Sequence, residues 1–254
     1  DVEIRYFNLT LAGGTEIDGT LRLSASEDEE GLLQSDLQLV TINSLATADD
    51  PATPDRIEGT NLLNGKTGNI INGDITSQGT GWQGSYTSVD NDLLNVTINA
   101  EESLLINGEI QFESVVGNDD ITANDDDEAV ATLTITGTAD VTIGQLDVDD
   151  VDIETLNVIN NGTGTLHIVG DSPAIDGESW DSGDYIENLI FAGTGDIVLG
   201  SEDNGYEGVE AEDLSLIDAS ALSGDLDLGE LVDIDSADFS FIAGTGVTKL
   251  TLTD

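Results

Sequence analysis

The chain has 254 residues, of which 53 are Asp or Glu and only 5 are Lys or Arg, for a formal charge of −48. So negative a surface repels nucleic acid and anionic lipid, which excludes a basic nucleic-acid groove and an electrostatic membrane contact. With no Cys and one His, disulfides, thiolate metal sites and Cys/His or Ser/His nucleophile systems have almost no material.

Gly is frequent at 29 residues and Pro rare at 3, which predicts many short strands joined by Gly turns. There is no Met, so residue 1 is not a translation start: the chain is processed or is a fragment, and a cleaved signal peptide would fit. In chain order, Val2 to Leu11 (VEIRYFNLTL) reads as a strand, apolar on both faces from Tyr6 onward. Three segments share an apolar-Asx-Gly-polar-apolar pattern: Ile17 to Leu21, Ile71 to Ile75 and Ile106 to Ile110. Asn-Gly and Asp-Gly tolerate positive φ, so these are hairpin turns or corners of stacked coils. Residues 46–55 (ATADDPATPD) read as a loop, and Leu94 to Ile98 alternates as a half-buried strand. Composition then turns acidic, and three regions follow: a β-rich part over 1–116, an acidic linker over 117–129 and a repeat region over 130–254.

In the repeat region an alternating triplet begins at Leu133, Leu156, Leu189, Leu214 and Phe239. Each is followed by a small-residue turn and a second alternating strand beginning at Val141, Leu166, Ile197, Leu226 and Leu250. Val151, Val209 and Ile234 precede three of the triplets and suggest a third short strand. Two or three short strands repeating every ~25 residues match one coil of a β-solenoid. Residues 171–187 (DSPAIDGESWDSGDYIE) read as a loop projecting from one coil.

The segment Leu214 to Leu228, LSLIDASALSGDLDL, resembles the strand–DASALSG–strand units of bacterial surface-layer proteins and RTX-type secreted adhesins. Glu154 to Val169, ETLNVINNGTGTLHIV, is similar to the same class of repeat. The resemblance covers roughly residues 130–254. The family's calcium-binding nonapeptide has a Gly-Asn-Asp-x-apolar core, which Gly117 to Ile121 matches once and without a tandem array. The resemblance implies a secreted, self-associating surface protein that depends on calcium.

The acids themselves ask for cations. There are 34 Asp and 19 Glu, and Asp is the shorter ligand and the better loop residue. Asp152, Glu210 and Asp235 each lie four residues before a triplet, so stacked coils would place them about 4.8 Å apart. Like charges at that distance repel by roughly 1 kcal/mol even in water. A solvated acidic face is the simpler reading, and shared calcium the sharper one. The loop carrying Asn118, Asp119, Asp120, Asp125 and Asp127 offers many oxygens of the kind calcium takes. Asp181 and Asp184 in the 171–187 loop do the same. Molar salt would screen the charge equally well. His167 lies between two inward apolar residues and therefore points outward as a surface group.

These readings converge on an all-β chain: a β-solenoid of stacked coils of about 25 residues, with a β-rich N-terminal part. The expected role is structural and not enzymatic. It is an extracellular or cell-surface subunit that self-assembles into a surface layer, filament or adhesin, with Ca2+ bridging. Its expected partner is itself, with cell-surface polysaccharide a further one, and without nucleic-acid binding or membrane insertion. The alternative is a carbohydrate-active solenoid enzyme or carbohydrate-binding module, with Trp82 and Trp180 as candidate sugar platforms.

Overall fold

The structure is a computed structural model, described over residues 6–12, 14–23, 34–35, 39–45, 60–61, 66–76, 90–91, 93–112, 129–148, 153–170, 186–200, 208–210, 214–232 and 239–252. These residues form strands, turns and bends with no helix. Two parallel sheets dominate. The first has eight strands: Tyr6–Ala12, Leu39–Leu45, Asn95–Ala100, Ala129–Gly137, Ile153–Asn160, Asn188–Gly193, Leu216–Leu222 and Ser240–Ile242. Their order in the sheet is their order in the chain. The second sheet has eleven strands and climbs in the same direction through Glu16–Ile17, Asn69–Ile71, Leu104–Phe112, Val141–Val148, Leu166–Ile168, Ile197–Leu199, Leu226–Val232 and Thr248–Leu252. The chain thus alternates between two stacks of parallel strands, an arrangement compatible with a β-solenoid. Both stacks continue across residues 113–128, because Asn95–Ala100 pairs with Ala129–Gly137 and Leu104–Phe112 with Val141–Val148.

Alternation explains why the two stacks bury a common core. In Leu39–Leu45 and Asn95–Ala100 every second side chain is buried. The inward residues of the first sheet, such as Ile42, Ile98 and Leu133, join Ile71, Ile106, Ile143 and Ile168 of the second in one apolar cluster. Each such side chain contributes about 1.5–3 kcal/mol on burial.

Register separates the two sheets. In the second sheet Val141, Leu166, Ile197 and Leu226 are successive partners, as the repeat alignment expects. In the first sheet Leu156 pairs with Leu189, but Leu133 pairs with Val158, and Leu189 pairs with Ile217. The Leu133 offset is a shift of two residues, which keeps every side chain on its face, so alternation leaves it open. The Leu189 offset is a shift of three, taken up where Ser215 and Leu216 are both half-buried between buried Leu214 and Ile217. Leu133, Leu156, Leu189 and Leu214 are all buried nonetheless, and Phe239 packs partly buried against the same core.

The Asx-Gly segments are bends within the second sheet, not hairpins. The strands on either side of Gly19 and Gly73 pair in parallel with one another, and Leu104–Phe112 runs through its own bend with a register shift between Ile106 and Glu109. Glycine is required there by stacking. A Cβ on Gly73 would collide with the backbone of Gly19, one on Gly108 with Gly73, and one on Gly144 with Gly108. The third short strand exists at Gly208–Glu210, where buried Val209 pairs with Leu231. The positions of Val151 and Ile234 lie outside the described residues.

Candidate functional site

Of the ten expected calcium ligands, Asn118, Asp119, Asp120, Asp125, Asp127, Asp152, Asp181, Asp184 and Asp235 lie outside the described residues. Glu210 closes the strand Gly208–Glu210, with its backbone level with Val232. Among the described residues, no group of three or more His, Cys, Asp or Glu side chains lies together as a metal cage would require.

A different acidic row does emerge, at the turn that enters the second sheet. Asp140, Thr165, Asp196, Asp225 and Val247 occupy the position just before five successive strands. Asp140 Oδ1 accepts the Thr165 backbone N–H at 2.8 Å, Asp196 Oδ1 that of Asp225 at 2.8 Å, and Asp225 Oδ1 that of Val247 at 2.8 Å. Each carboxylate thereby ties its own strand to the next one in the stack. Asp196 and Asp225 are adjacent in this row and exposed, and the amide that each holds offsets part of their mutual repulsion. The sequence signal was an Asp directly before a second-strand apolar residue, as in Asp140-Val141, Asp196-Ile197 and Asp225-Leu226.

Behind this row sits a buried polar turn. Asn160 is wholly buried; its Nδ2 donates to the carbonyls of Gly164 (3.0 Å) and Asp196 (2.9 Å), and its Oδ1 accepts from Gly162 N (3.1 Å). Nearer the N-terminus Asn69 has the matching role: its Nδ2 donates to Ser44 Oγ at 2.8 Å, and its Oδ1 accepts from Thr15 N at 2.8 Å.

The glycine bends of the second sheet create a shallow concavity of about 370 Å³. Its floor is Gly108, Gly144 and Gly170, and its polar lining includes Asp74, Asn107, Glu109 and Gln145. Two rows of oxygen-bearing side chains flank the glycines. On one side Asn107 Nδ2 donates to Asn72 Oδ1 at 2.5 Å, and Asn72 Nδ2 donates to Asp18 Oδ1 at 2.8 Å and Glu16 Oε1 at 2.6 Å. On the other, Thr20 Oγ1 donates to Asp74 Oδ2 at 3.1 Å. This lining offers hydrogen-bond partners to a hydroxylated ligand or oxygen ligands to a cation.

His167 is half-buried on the outward side of its strand, with Nε2 3.1 Å from the Gly200 carbonyl oxygen. A carbonyl only accepts, so Nε2 carries the proton and the ring joins two neighbouring levels of the stack. In the Asp218-Ala219-Ser220 segment, Asp218 Oδ1 accepts from Ser220 N at 2.8 Å. The Ser220 side chain and then its backbone N–H hold the Asp218 carboxyl below the usual aspartate range. That local turn coincides with a register shift against Ile190 and Ala192, so the DASALSG signature encodes a bulge. Lys249 Nζ meets Asp227 Oδ2 at 2.8 Å, an exposed pair worth about 0–1 kcal/mol.

No family model, curated protein or solved structure matches the chain.

Proposed function

We propose that the chain is a β-solenoid acting as a non-enzymatic, extracellular structural subunit of the surface-layer or secreted-adhesin kind, which self-assembles with calcium bridging its acidic loops. One observation supports this most: all strand pairing in the two large sheets is parallel and follows chain order. The contact between neighbouring levels is therefore a translation that a second copy can repeat. Among the described residues, the strands at the two ends of the stack are only half covered. Phe7 and Leu9 at one end, and Phe241 and Leu250 at the other, pack partly buried against the core. A head-to-tail neighbour would extend both sheets, complete their hydrogen bonds and cover this apolar surface. Charge opposes that approach, so cations at the acidic loops 117–127 and 171–187 assist it.

The test is electron microscopy of the purified chain in millimolar calcium, in chelator and in molar sodium chloride. Filaments in calcium that disperse in chelator are expected. Equal assembly in sodium chloride alone would replace specific calcium binding by screening. A chain without filaments in any of the three conditions would remove the subunit reading. The glycine-floored concavity favours the carbohydrate-binding alternative, for which saturable binding of neutral oligosaccharides, weakened by Asp74→Asn, is the corresponding measurement.

A further inference from the structure

The outer faces of the two large sheets differ in charge. Roughly one residue in five of the whole chain is acidic. Within the eight strands of the first sheet only Glu154 and Asp218 carry charge. Over its first four strands the outward positions include rows of Thr and Asn. One row runs Asn8, Thr41, Thr97, Thr134, and its neighbour runs Thr10, Asn43, Asn99, Thr136. The second sheet by contrast points Glu16, Asp18, Asp74, Glu109 and Asp227 outward or along its bends, none of them buried.

A second feature marks the same face. Four large apolar side chains are exposed among the described residues: Tyr6 at 69%, Val130 at 43%, Ile242 at 45% and Val247 at 61%. Three of them, Tyr6, Val130 and Ile242, belong to the first sheet, each adjacent to an inward residue and so on its outer side. Half-buried Ile159 and Ile190 also point outward.

We infer that the outer face of the first sheet is a lateral docking surface for a second copy of this chain, packed face to face about a two-fold axis. Electrostatics selects the occupant. Two chains of −48 repel, and close approach is cheapest where each presents few carboxylates, here Glu154 and Asp218. Chemistry agrees: Thr hydroxyls and Asn amides both donate and accept, so the same rows complement themselves across a two-fold axis. The rows are already ordered. Asn43 Nδ2 donates to Asn8 Oδ1 at 2.7 Å, Asn157 Nδ2 to Thr132 Oγ1 at 3.3 Å and Thr136 Oγ1 to Asn99 Oδ1 at 3.3 Å. Such ordering lowers the entropy lost on docking. Size also fits. Eight strands about 4.8 Å apart and about 20 Å long present on the order of 750 Å². A standard interface covers about 800 Å² per partner. The contact is separate from the proposed head-to-tail stacking: it closes on a dimer, or bundles filaments where filaments exist.

The experiment is sedimentation velocity of the full chain across a sodium chloride series, with two double variants. Thr41 and Thr134 lie in one outward row with Thr97 between them, so Thr41→Glu with Thr134→Glu places charge on the face without setting the new charges side by side. Thr41→Gln with Thr134→Gln adds the same bulk without charge. The wild-type chain is expected to dimerise more tightly as salt rises. The Glu pair should weaken dimerisation at least tenfold while its circular dichroism stays unchanged, and the Gln pair should stay within threefold of wild type. A wild-type chain that remains monomeric in molar salt overturns the inference, as does a Glu pair that dimerises like wild type. A Glu pair that loses binding to a neutral polysaccharide, from a chain that never dimerises, reassigns the face to saccharide. Dimers without filaments leave this inference standing and remove the head-to-tail reading; single unbundled filaments do the reverse.

Discussion

Replacing Asn160 by Ala removes one side chain that satisfies three backbone groups at a buried turn: Gly162 N, Gly164 O and Asp196 O. A buried polar group left without its partner costs about 1–3 kcal/mol. Gly164 and Asp196 sit at the edge of the stack, where the deleted amide leaves room for water, so the low end applies to each. The expected loss is about 3 kcal/mol, a large share of the ~5–15 kcal/mol that stabilises a typical domain. Asn160→Asp should lose more than Asn160→Ala, because it sets a carboxylate oxygen against two carbonyl oxygens where the amide N–H groups were. The assay is urea unfolding followed by far-ultraviolet circular dichroism, comparing midpoints at constant slope. A loss below about 1 kcal/mol for Asn160→Ala, or an Asp variant as stable as wild type, would refute the claim that this amide organises the turn.

Phe191→Ala empties one of the largest wholly buried sites and should cost about 3–5 kcal/mol in the same urea assay. Gly137→Ala should cost about 3 kcal/mol, since φ is 100° there and a Cβ would collide with the Ala100 backbone; an unchanged midpoint would contradict that geometry. Ser220→Ala should raise the Asp218 pKa toward the ordinary aspartate value, read by carboxyl-carbon NMR titration. Because the folded value is the lower one, ionised Asp218 stabilises the native chain above the unfolded-state pKa of about 3.9. That contribution fades as pH falls through the lowered value, and Ser220→Ala should shrink it.

Much of the architecture could be read from alternation. Strands such as Asn95–Ala100 bury every second residue, and that pattern alone identifies which side of each strand enters the core. Register was most legible where a turn pinned it. An Asp precedes Val141, Ile197 and Leu226 and grips the next level, so these starts align. In the first sheet the two-residue slip at Leu133 is silent to alternation, while the three-residue offset at Leu189 and the register shift at Ala129/Val130 follow from local irregularity that triplet counting does not register. The Asx-Gly segments looked equally like hairpins because the local turn chemistry is shared; only their stacking on one another separates the two. The acidic row of Asp140, Asp196 and Asp225 was harder to see. In a chain with 34 Asp, one more carboxylate before a strand carries no contrast, and its meaning lies in the amide of the following level.

Parallel strands stacked in chain order have a mechanical consequence. Hydrogen bonds between levels run along the stack, so tension applied between Tyr6–Ala12 and Thr248–Leu252 pulls along those bonds and not across them. Strands loaded this way unzip one level at a time instead of resisting in shear together. A released level of ~25 residues, such as that between Leu133 and its partner Val158, adds up to about 85 Å of contour length at ~3.4 Å per residue, and the longer levels nearer the N-terminus add more. A stack that peels in steps yields at low force, extends far and keeps the levels behind the break folded, each ready to template the return of the strand it lost.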